Sequence, residues 1–343
     1  MKKSTKLSLT LASVLILVGL TLFITVMSIY GWDFRKLSTV KYVTSTYELH
    51  SKFQNISIDN CSADVLFAPA SDGVCKVECY DSPKVQYSAN ILRDTLVIKS
   101  NYAFDLLDSI AIITESPKIT VYLPENAYSA LSIVGDTGDV EIPKAFSFST
   151  MDIRLSTGDI VCYASAYESQ KIRTSTGEIE LYHIQTDAMA LSVSTGQIKL
   201  TGVTCHGELS LHVSTGKSTL KDVLCVDFRS EGSTGSLTAE ELRVTGNLSL
   251  TRSTGKISLK NSLAGKLSIT TDTGDVTLDA FTAQEVNIQT DTGDVAANFT
   301  APMSFHTETG TGKVSAPDTI GYPCHVKTDT GDISLSAPEE CSK

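Results

Sequence analysis

Four Asp-Thr-Gly triplets are the part of this sequence that most resembles catalytic machinery. They begin at Asp136, Asp272, Asp291 and Asp329. Aspartic proteases use this triplet, but their chemistry requires two carboxylates that face each other and share one proton. Six Ser-Thr-Gly copies stand in the same register, so serine occupies the position that a catalytic carboxylate would need. The triplets therefore indicate a repeated turn rather than a proteolytic site, and no catalytic residue is predicted.

Acidic side chains on neighbouring repeats are a candidate metal site. Asp272, Asp275, Asp291 and Asp294 fall in two successive repeats, which stacked strands would bring to about 5 Å from each other. Oxygen clusters of this kind suit Ca²⁺. Solvated polar turns are the alternative reading, because lysines occupy the same column in other repeats and the nonapeptides of calcium β-rolls are absent. Ca²⁺ at these four aspartates is the one cofactor that the sequence suggests.

Eight cysteines raise the question of disulfides, metal binding or a nucleophilic thiol. Cys205 and Cys225 lie one repeat apart, so a bridge between them is the pairing that the spacing favours. Cys162 occupies a core-facing column, where a thiol acts as a small apolar residue. Cys205 with His206 and His212 is the nearest approach to a metal or Cys-His cluster, but its spacing supports decoration of loops and strands instead. A mostly reduced set is expected, and no Cys-x-x-Cys pair supports a zinc ribbon.

All these residues belong to one internal repeat built on a Thr-Gly pair. Its glycines recur every 19 or 20 residues, at Gly138, Gly158, Gly177, Gly196, Gly216, Gly235, Gly255, Gly274, Gly293, Gly312 and Gly331. The positions two and four residues after each glycine are mostly apolar, with a polar residue between them, and a similar alternation precedes the turn. Such alternation is typical of strands, and a fixed short period is typical of solenoids. Each repeat is therefore predicted to be one coil.

These patterns predict an all-β protein: a single-stranded parallel β-helix (solenoid) of about eleven 19–20-residue coils with an N-terminal β cap, preceded by one transmembrane helix. Glycine would supply the positive φ that a sharp corner requires, and the threonines before the glycines would stack in a column. One coil buries too little apolar surface to stand alone, so the coils must stack. The predicted segments are a cytosolic stub (1–6), a transmembrane anchor (7–30), a linker (31–45), a β-rich cap (46–130), the repeats (131–336) and a tail (337–343).

The N-terminal segment predicts where the rest of the chain lies. Residues 7–30 carry no charged side chain, and a helix of this length crosses a bilayer. The lysines before it favour a cytosolic N-terminus, and an uncleaved anchor is favoured over a cleaved secretory signal because no small-x-small site follows. A formal net charge of −11 argues against a nucleic-acid partner. The sequence thus predicts a single-pass membrane protein whose C-terminal domain is extracytosolic.

Three features of the sequence point to a known family. They are FAPASDG at 67–73, KITVYLPENAYSALSI at 118–133, and the recurring STGDI and DTGDV turns. Over residues 46–336 the chain resembles the bacterial toastrack domain, an adhesin-type domain of unknown function whose relatives include LiaG-like envelope proteins. The resemblance implies a membrane-anchored β-helix of Gram-positive cells, linked in some members to envelope-stress signalling or surface adhesion. The shared motifs are structural, and the family offers no catalytic residues to carry over.

Two functions follow from these features. The favoured one is a non-enzymatic, membrane-anchored cell-envelope protein, an adhesin or envelope-stress accessory that presents its β-helix surface to an envelope polymer or a membrane-protein partner. The alternative is a carbohydrate-active β-helix enzyme, a polysaccharide lyase or hydrolase. Coils of 19–20 residues leave little loop with which to build a cleft, which favours the first. A groove lined by two or three carboxylates at hydrolase spacing would favour the second.

Overall fold

A computed structural model of the chain describes residues 3–33, 43–81, 85–102 and 117–339. The predicted stub (1–6), linker (31–45) and tail (337–343), and the segment 100–117, lie partly outside these residues. The elements are α1 Lys3–Ile29, β1 Val43–Leu49, β2 Asn55–Cys61, β3 Asp64–Pro69, β4 Cys75–Asp81, β5 Val85–Leu92, β6 Thr95–Tyr102, β7 Lys118–Leu123, β8 Ala127–Thr137, β9 Val140–Ile142, β10 Ser147–Thr157, β11 Ile160–Cys162, β12 Ser165–Tyr182, β13 Gln185–Thr186, β14 Ala188–Thr234, β15 Leu237–Thr254, β16 Ile257–Lys260, β17 Leu263–Thr273, β18 Val276–Phe281, β19 Glu285–Thr292, β20 Val295–Phe299, β21 Met303–Thr311, β22 Val314–Ser315, β23 Tyr322–Thr330 and β24 Ile333–Ser336.

Helix α1 is long and apolar enough to cross a membrane. Its apolar stretch is Ser8–Ile29, and no residue of the most apolar part of that stretch is buried against the described chain. The helix ends where Gly31 takes a φ of +65° and the Trp32 amide donates to the Met27 carbonyl at 2.8 Å, a left-handed cap that glycine favours. The helix predicted at 7–30 is confirmed, and its length and composition suit a membrane span and a signal sequence alike.

The repeats stack as a parallel solenoid. A rung is defined here as the two strand segments that flank one corner. Each rung pairs in parallel with the next one in register, as where Ile153 of β10 lies between Ile133 of β8 and Ile172 of β12. Alternate side chains along every strand point inward, so the aliphatic columns meet in one buried cluster that extends from Phe53 to Leu335. The predicted parallel β-helix of about eleven coils is confirmed.

Two further rungs precede the first Thr-Gly corner. Strands β2 and β3 pair in parallel with β8 and β9 on one side, and with β6 and β7 on the other. Antiparallel strands then cover the outer rung, with β5 on β6, β4 on β7 and β1 on β4. The cap expected at 46–130 is therefore two rungs of the solenoid plus three antiparallel strands, and β1 begins at Val43, inside the predicted linker.

The C-terminal rungs do not stack in chain order. Strand β23 pairs with β19 on one side and with β21 on the other, and β24 lies in the same way between β20 and β22. The rung of Gly331 is thus inserted between the rungs of Gly293 and Gly312. Burial explains the order, because Val326 of β23 is buried whereas its partner in β21 is the polar Thr307. The less apolar rung takes the end position, where one side faces solvent.

Candidate functional site

The Thr-Gly corners are shaped by close contact between rungs. A Cβ built on Gly235 would lie 1.7 Å from the carbonyl oxygen of Gly216, one rung below. The φ of Gly235 is +132°, which also disfavours a side chain. Gly274 lacks such a φ, yet its Cβ would still lie 2.2 Å from the Gly255 oxygen. The positive φ expected at every corner is therefore absent at Gly274. The close approach of the neighbouring rung, which leaves no space for a Cβ, explains glycine at this corner as well as at Gly235.

Aspartates that follow the corner glycines form columns along the stack, and their hydrogen bonds explain why. The Asp159 amide donates to Asp139 Oδ1 at 2.8 Å, and the Glu178 amide donates to Asp159 Oδ1 at 2.7 Å. Asp64 does the same for the Asp139 amide at 3.0 Å, in a rung that has no Thr-Gly pair. Each aspartate thus caps a corner amide of the next rung with a charged acceptor. The threonines before the glycines stack in register, as predicted, for example Thr157 between Thr137 and Thr176.

The same ladder accounts for half of the candidate calcium site. Asp275 Oδ1 accepts the Asp294 amide at 3.1 Å, and Asp294 Oδ1 accepts the amide of Asp332 at 2.8 Å. Asp272 and Asp291 are exposed residues just before the corners. In the described part of the chain no three or more His, Cys, Asp or Glu side chains are grouped so as to hold a metal. Calcium binding by these four aspartates stays a prediction.

The Asp-Thr-Gly triplets behave as turns. Their aspartates, at 136, 272, 291 and 329, are exposed on one edge of the solenoid. The last three follow one another along the stack, with Thr273 pairing with Thr292, and Thr292 with Thr330, whereas Asp136 lies in the distant rung whose Thr137 pairs with Thr157. Facing carboxylates that share a proton would have to come from opposite sides of a cleft, and this side-by-side arrangement does not provide them.

The cysteines are buried and reduced throughout the described residues. Cys205 and Cys225, the pair whose spacing allows a bridge, are free thiols, in keeping with the mostly reduced set that the sequence predicts. The Cys205 thiol instead donates to the Glu208 carbonyl at 3.3 Å, and burial raises the pKa of Cys225 to about 12. His206 pairs with Asp187 at 3.4 Å, and His212 bonds to a serine on its own strand. No Cys-His cluster results.

Arg252 is a charged side chain that is buried inside the solenoid. Arg252 is 3 % exposed, and its guanidinium donates to Ser230 Oγ at 2.9 Å and to the Thr251 carbonyl at 3.0 Å. Gly232, its register partner, leaves the room that the guanidinium occupies. No carboxylate of the described residues forms an ion pair with it, and burial lowers its pKa to about 10. Ser230, which interrupts an aliphatic column, is explained by this contact.

A groove of about 490 Å³ crosses the first half of the solenoid. Two outward columns form it, in which Thr150 lies between Ala130 and Ser169, and Asp152 lies between Ser132 and Lys171. The columns continue through Ala188 and Ala190 to Glu208 and Ser210. Small side chains at successive rungs leave a shallow channel, since outward side chains elsewhere are often larger. At about 4.8 Å per rung the channel is roughly 20 Å long.

The floor of the groove contains an unusual buried amide. Gln170 takes a position that is aliphatic in most other rungs and is 1 % exposed. Its Nε2 lies 3.6 Å from the Met151 sulfur and 3.8 Å from the Cys162 sulfur, which are weak acceptors. Its Oε1 has no hydrogen-bond partner among the described residues. Gln170 points into the core, so this oxygen is not exposed to the groove.

Charged groups border the groove on several rungs. Asp152 pairs with Arg154 at its edge, and Arg173 stacks on Arg154 in the next rung. Lys171 and Glu208 line the channel itself. Three rung steps separate Asp152 from Glu208, which is about 14 Å, whereas glycosidases place their two carboxyl groups roughly 5 to 9.5 Å apart. The groove can bind a polar chain, but this carboxylate pair cannot perform glycoside hydrolysis.

Sequence reasoning did not find the groove. Its signal is a set of small residues six or eight positions before the glycine in four of five successive repeats, namely Ala130, Ser132, Ser169, Ala188, Ala190 and Ser210. Outward positions are usually read only as polar or apolar, so a run of small ones attracts no notice. The steric profile of a surface becomes visible once the register places equivalent positions side by side.

The rungs, glycine corners and buried inner columns together define a parallel β-solenoid. The family model described as "Toastrack DUF4097" matches residues 53–217 and 207–343. The chain belongs to the toastrack DUF4097 family, and the resemblance stated from its motifs is confirmed. No curated protein matches the chain.

Solved structures of bacterial surface proteins are similar to the chain at low identity. A candidate adhesin of Parabacteroides merdae is 13 % identical with a TM-score of 0.37, covering 73 % of this chain and 98 % of its own. A candidate adhesin of Bacteroides fragilis is 14 % identical with a TM-score of 0.30, covering 86 % and 97 %. A candidate lipid-binding protein of Parabacteroides distasonis is 12 % identical with a TM-score of 0.32, covering 86 % and 97 %.

Proposed function

We propose that this protein is a non-enzymatic cell-envelope protein whose solenoid binds an elongated envelope polysaccharide in the groove. Helix α1 anchors the chain in the cytoplasmic membrane, with its N-terminus cytosolic and the solenoid outside. The observation that carries the proposal is the groove itself, a channel across five rungs that is lined by hydroxyl, charged and small apolar side chains. Its hydroxyls and charged groups recur at the rung spacing, which suits a polymer of repeating hydroxyl-bearing units better than a compact ligand.

The geometry supports binding over catalysis. Asp152 is held in an ion pair with Arg154, and Glu208 lies three rungs away. The groove rungs are joined by tight corners, and no long loop belongs to the described residues around them. A binding surface requires neither closely spaced carboxylates nor a cover. The carbohydrate-active enzyme is therefore the less supported function.

Filling the groove tests the proposal. Ala190→Trp places a large ring in the channel, and Ser268→Trp places the same ring in the equivalent column of a rung outside it. Purified full-length chain in detergent is incubated with isolated envelope polysaccharide, and co-sedimentation is measured. We expect the unmodified chain and the Ser268 variant to bind, and the Ala190 variant to lose at least about tenfold in affinity. Equal binding by both variants, or no binding by any form, would contradict the proposal.

A further inference from the structure

We propose that His306 and His325 form a binding site for Zn²⁺ at the C-terminal end of the solenoid. The two histidines are register partners on β21 and β23. Their side chains are exposed on the same face, and their ring centres lie 5.4 Å apart. The site is separate from the groove and does not depend on the function proposed for it.

The separation of the rings suits one shared metal ion. Zn²⁺ binds histidine nitrogen at about 2.0–2.1 Å with tetrahedral angles, which places the centres of two coordinating rings roughly 5 Å apart. Cross-strand partners in a sheet are close enough to meet this requirement with the backbone as it stands. The planes of the two rings are inclined by 59°, so their edges can converge on a common point. Imidazole selects transition metals over Ca²⁺ and Mg²⁺.

Glu308 supplies the third ligand. It lies two residues after His306 on β21, on the same face of the strand, and its Oε1 is 3.6 Å from His306 Nε2. Lys327 approaches the other carboxylate oxygen at 3.8 Å. No three such side chains of the described residues already surround one point, so Glu308 must rotate from Lys327 towards the ion. A depression of about 320 Å³ holds all four side chains and leaves room for water as the fourth ligand.

The position of the site gives the metal a mechanical effect. Strand β21 belongs to the outermost rung, and its neighbour in the solenoid is β23 alone. An ion held by one histidine from each strand would tie this outer rung to the inserted one. Because the folded pair presents the ligands together, binding would favour the folded state and resist fraying of the end.

Zinc titration of the full-length, tag-free chain in detergent, after treatment with a chelator, tests the inference. Calorimetry should show one Zn²⁺ per chain. His306→Ala and His325→Ala should each weaken binding at least about tenfold, because each removes one of two nitrogen ligands. Glu308→Gln should weaken it less. His212→Ala is the matched control, since His212 is an exposed strand histidine whose ring bonds only to its own strand, and it should bind as the unmodified chain does.

Two further measurements separate this site from other zinc binding. Affinity should fall between pH 7.5 and 5.5, because protonated imidazole cannot bind metal, and CaCl₂ should give no heat at this site. Thermal melting should shift upward with Zn²⁺ in the unmodified chain and not in the two histidine variants. Unchanged Zn²⁺ affinity in His306→Ala and His325→Ala would overturn the proposal, as would no binding to the unmodified chain.

Discussion

Replacing Gly235 by alanine should destabilise the solenoid by more than a backbone preference alone can explain. Two effects act at this corner. The φ of +132° is a region that costs other residues about 1–3 kcal/mol. The new Cβ would also lie 1.7 Å from the Gly216 oxygen, so the two rungs must move apart by roughly 1.5 Å to reach normal contact. A shift of this size lengthens the hydrogen bonds between the two rungs at the corner beyond the range in which they hold.

The bonds at risk give the second part of the magnitude. The Ser218 amide donates to the Ser236 carbonyl at 2.9 Å across this same pair of rungs. A backbone hydrogen bond is worth about 0.5–1.5 kcal/mol net, and the carbonyls left without a donor stay near water at the corner. Together with the φ cost, the expected loss is about 2–5 kcal/mol. If the whole chain unfolds together, that lowers the Tm by about 3–7 °C.

Two other glycines isolate the separate effects. Gly73 has a φ of +72° but open space around its Cβ position, whereas at Gly274 the neighbouring rung is close and the φ lies outside the left-handed region. Gly73→Ala should therefore cost about 1 kcal/mol, and Gly274→Ala should cost more. The three variants are compared as full-length chains in detergent by thermal melting, followed through the circular dichroism of the strands. Repeat arrays need not unfold in one step, so the order of the Tm values is the quantity to compare.

The expected order of damage is Gly235→Ala, then Gly274→Ala, then Gly73→Ala. A silent Gly274→Ala variant would refute the argument from close contact between rungs. A Gly73→Ala variant as unstable as Gly235→Ala would show that backbone conformation alone explains the glycines.

Three other predictions follow from the corner and core contacts. Asp294→Ala removes the acceptor of the Asp332 amide and should lower the free energy of unfolding by about 1 kcal/mol, measured as a lower Tm. Asp291→Ala, the control, should change it by less than about 0.5 kcal/mol. Equal effects of the two variants would show that the hydrogen bond from the Asp332 amide to Asp294 contributes nothing. If Asp272, Asp275, Asp291 and Asp294 bind Ca²⁺, millimolar CaCl₂ should raise the Tm, and Asp294→Ala should abolish the rise; no shift in the unmodified chain would dismiss the calcium site. Arg252→Met should raise the Tm at pH 7 by the equivalent of about 1 kcal/mol or more, even though Ser230 loses its partner. Folding lowers the Arg252 pKa from 12.5 to about 10, so burying the charged guanidinium destabilises the folded chain fully below pH 10, and this cost is relieved as pH rises above 10. A lower Tm for Arg252→Met would show that the hydrogen bonds of Arg252 outweigh the cost of burying its charge.

The regular part of the fold was predictable from sequence because each repeat states the same local pattern. The spacing of the Thr-Gly pairs and the alternation around them identify the strands, the inward columns and the stacked threonines. The expected strand at 63–67 appears as Asp64–Pro69, and the one at 95–99 as Thr95–Tyr102. The rung of β2 and β3 was assigned to the cap because its corner contains Asn60, with a φ of +55°, in place of a Thr-Gly pair.

Features that depend on which rungs are neighbours were not predictable. Repeat spacing implies that successive repeats are adjacent, and only a comparison of Thr307 with Val326 hints that the last two exchange places. The aspartates of neighbouring repeats suggest a metal site because the sequence shows their like charges. It does not show the backbone amides that donate hydrogen bonds to them. The groove and the His306–His325 pair become apparent only when residues one repeat apart are compared for size and chemistry as well as for polarity.

The insertion of β23 and β24 between earlier rungs has a consequence for biogenesis. A chain that emerges amino end first can add rungs one after another as far as residue 299, but residues 303–315 cannot take their final neighbours until residues 322–336 have also been delivered. The rung of β23 and β24 is thus made after the rung of β21 and β22 but lies inside it in the finished stack. A chain that stops before Tyr322 lacks the strands with which β21 and β22 pair.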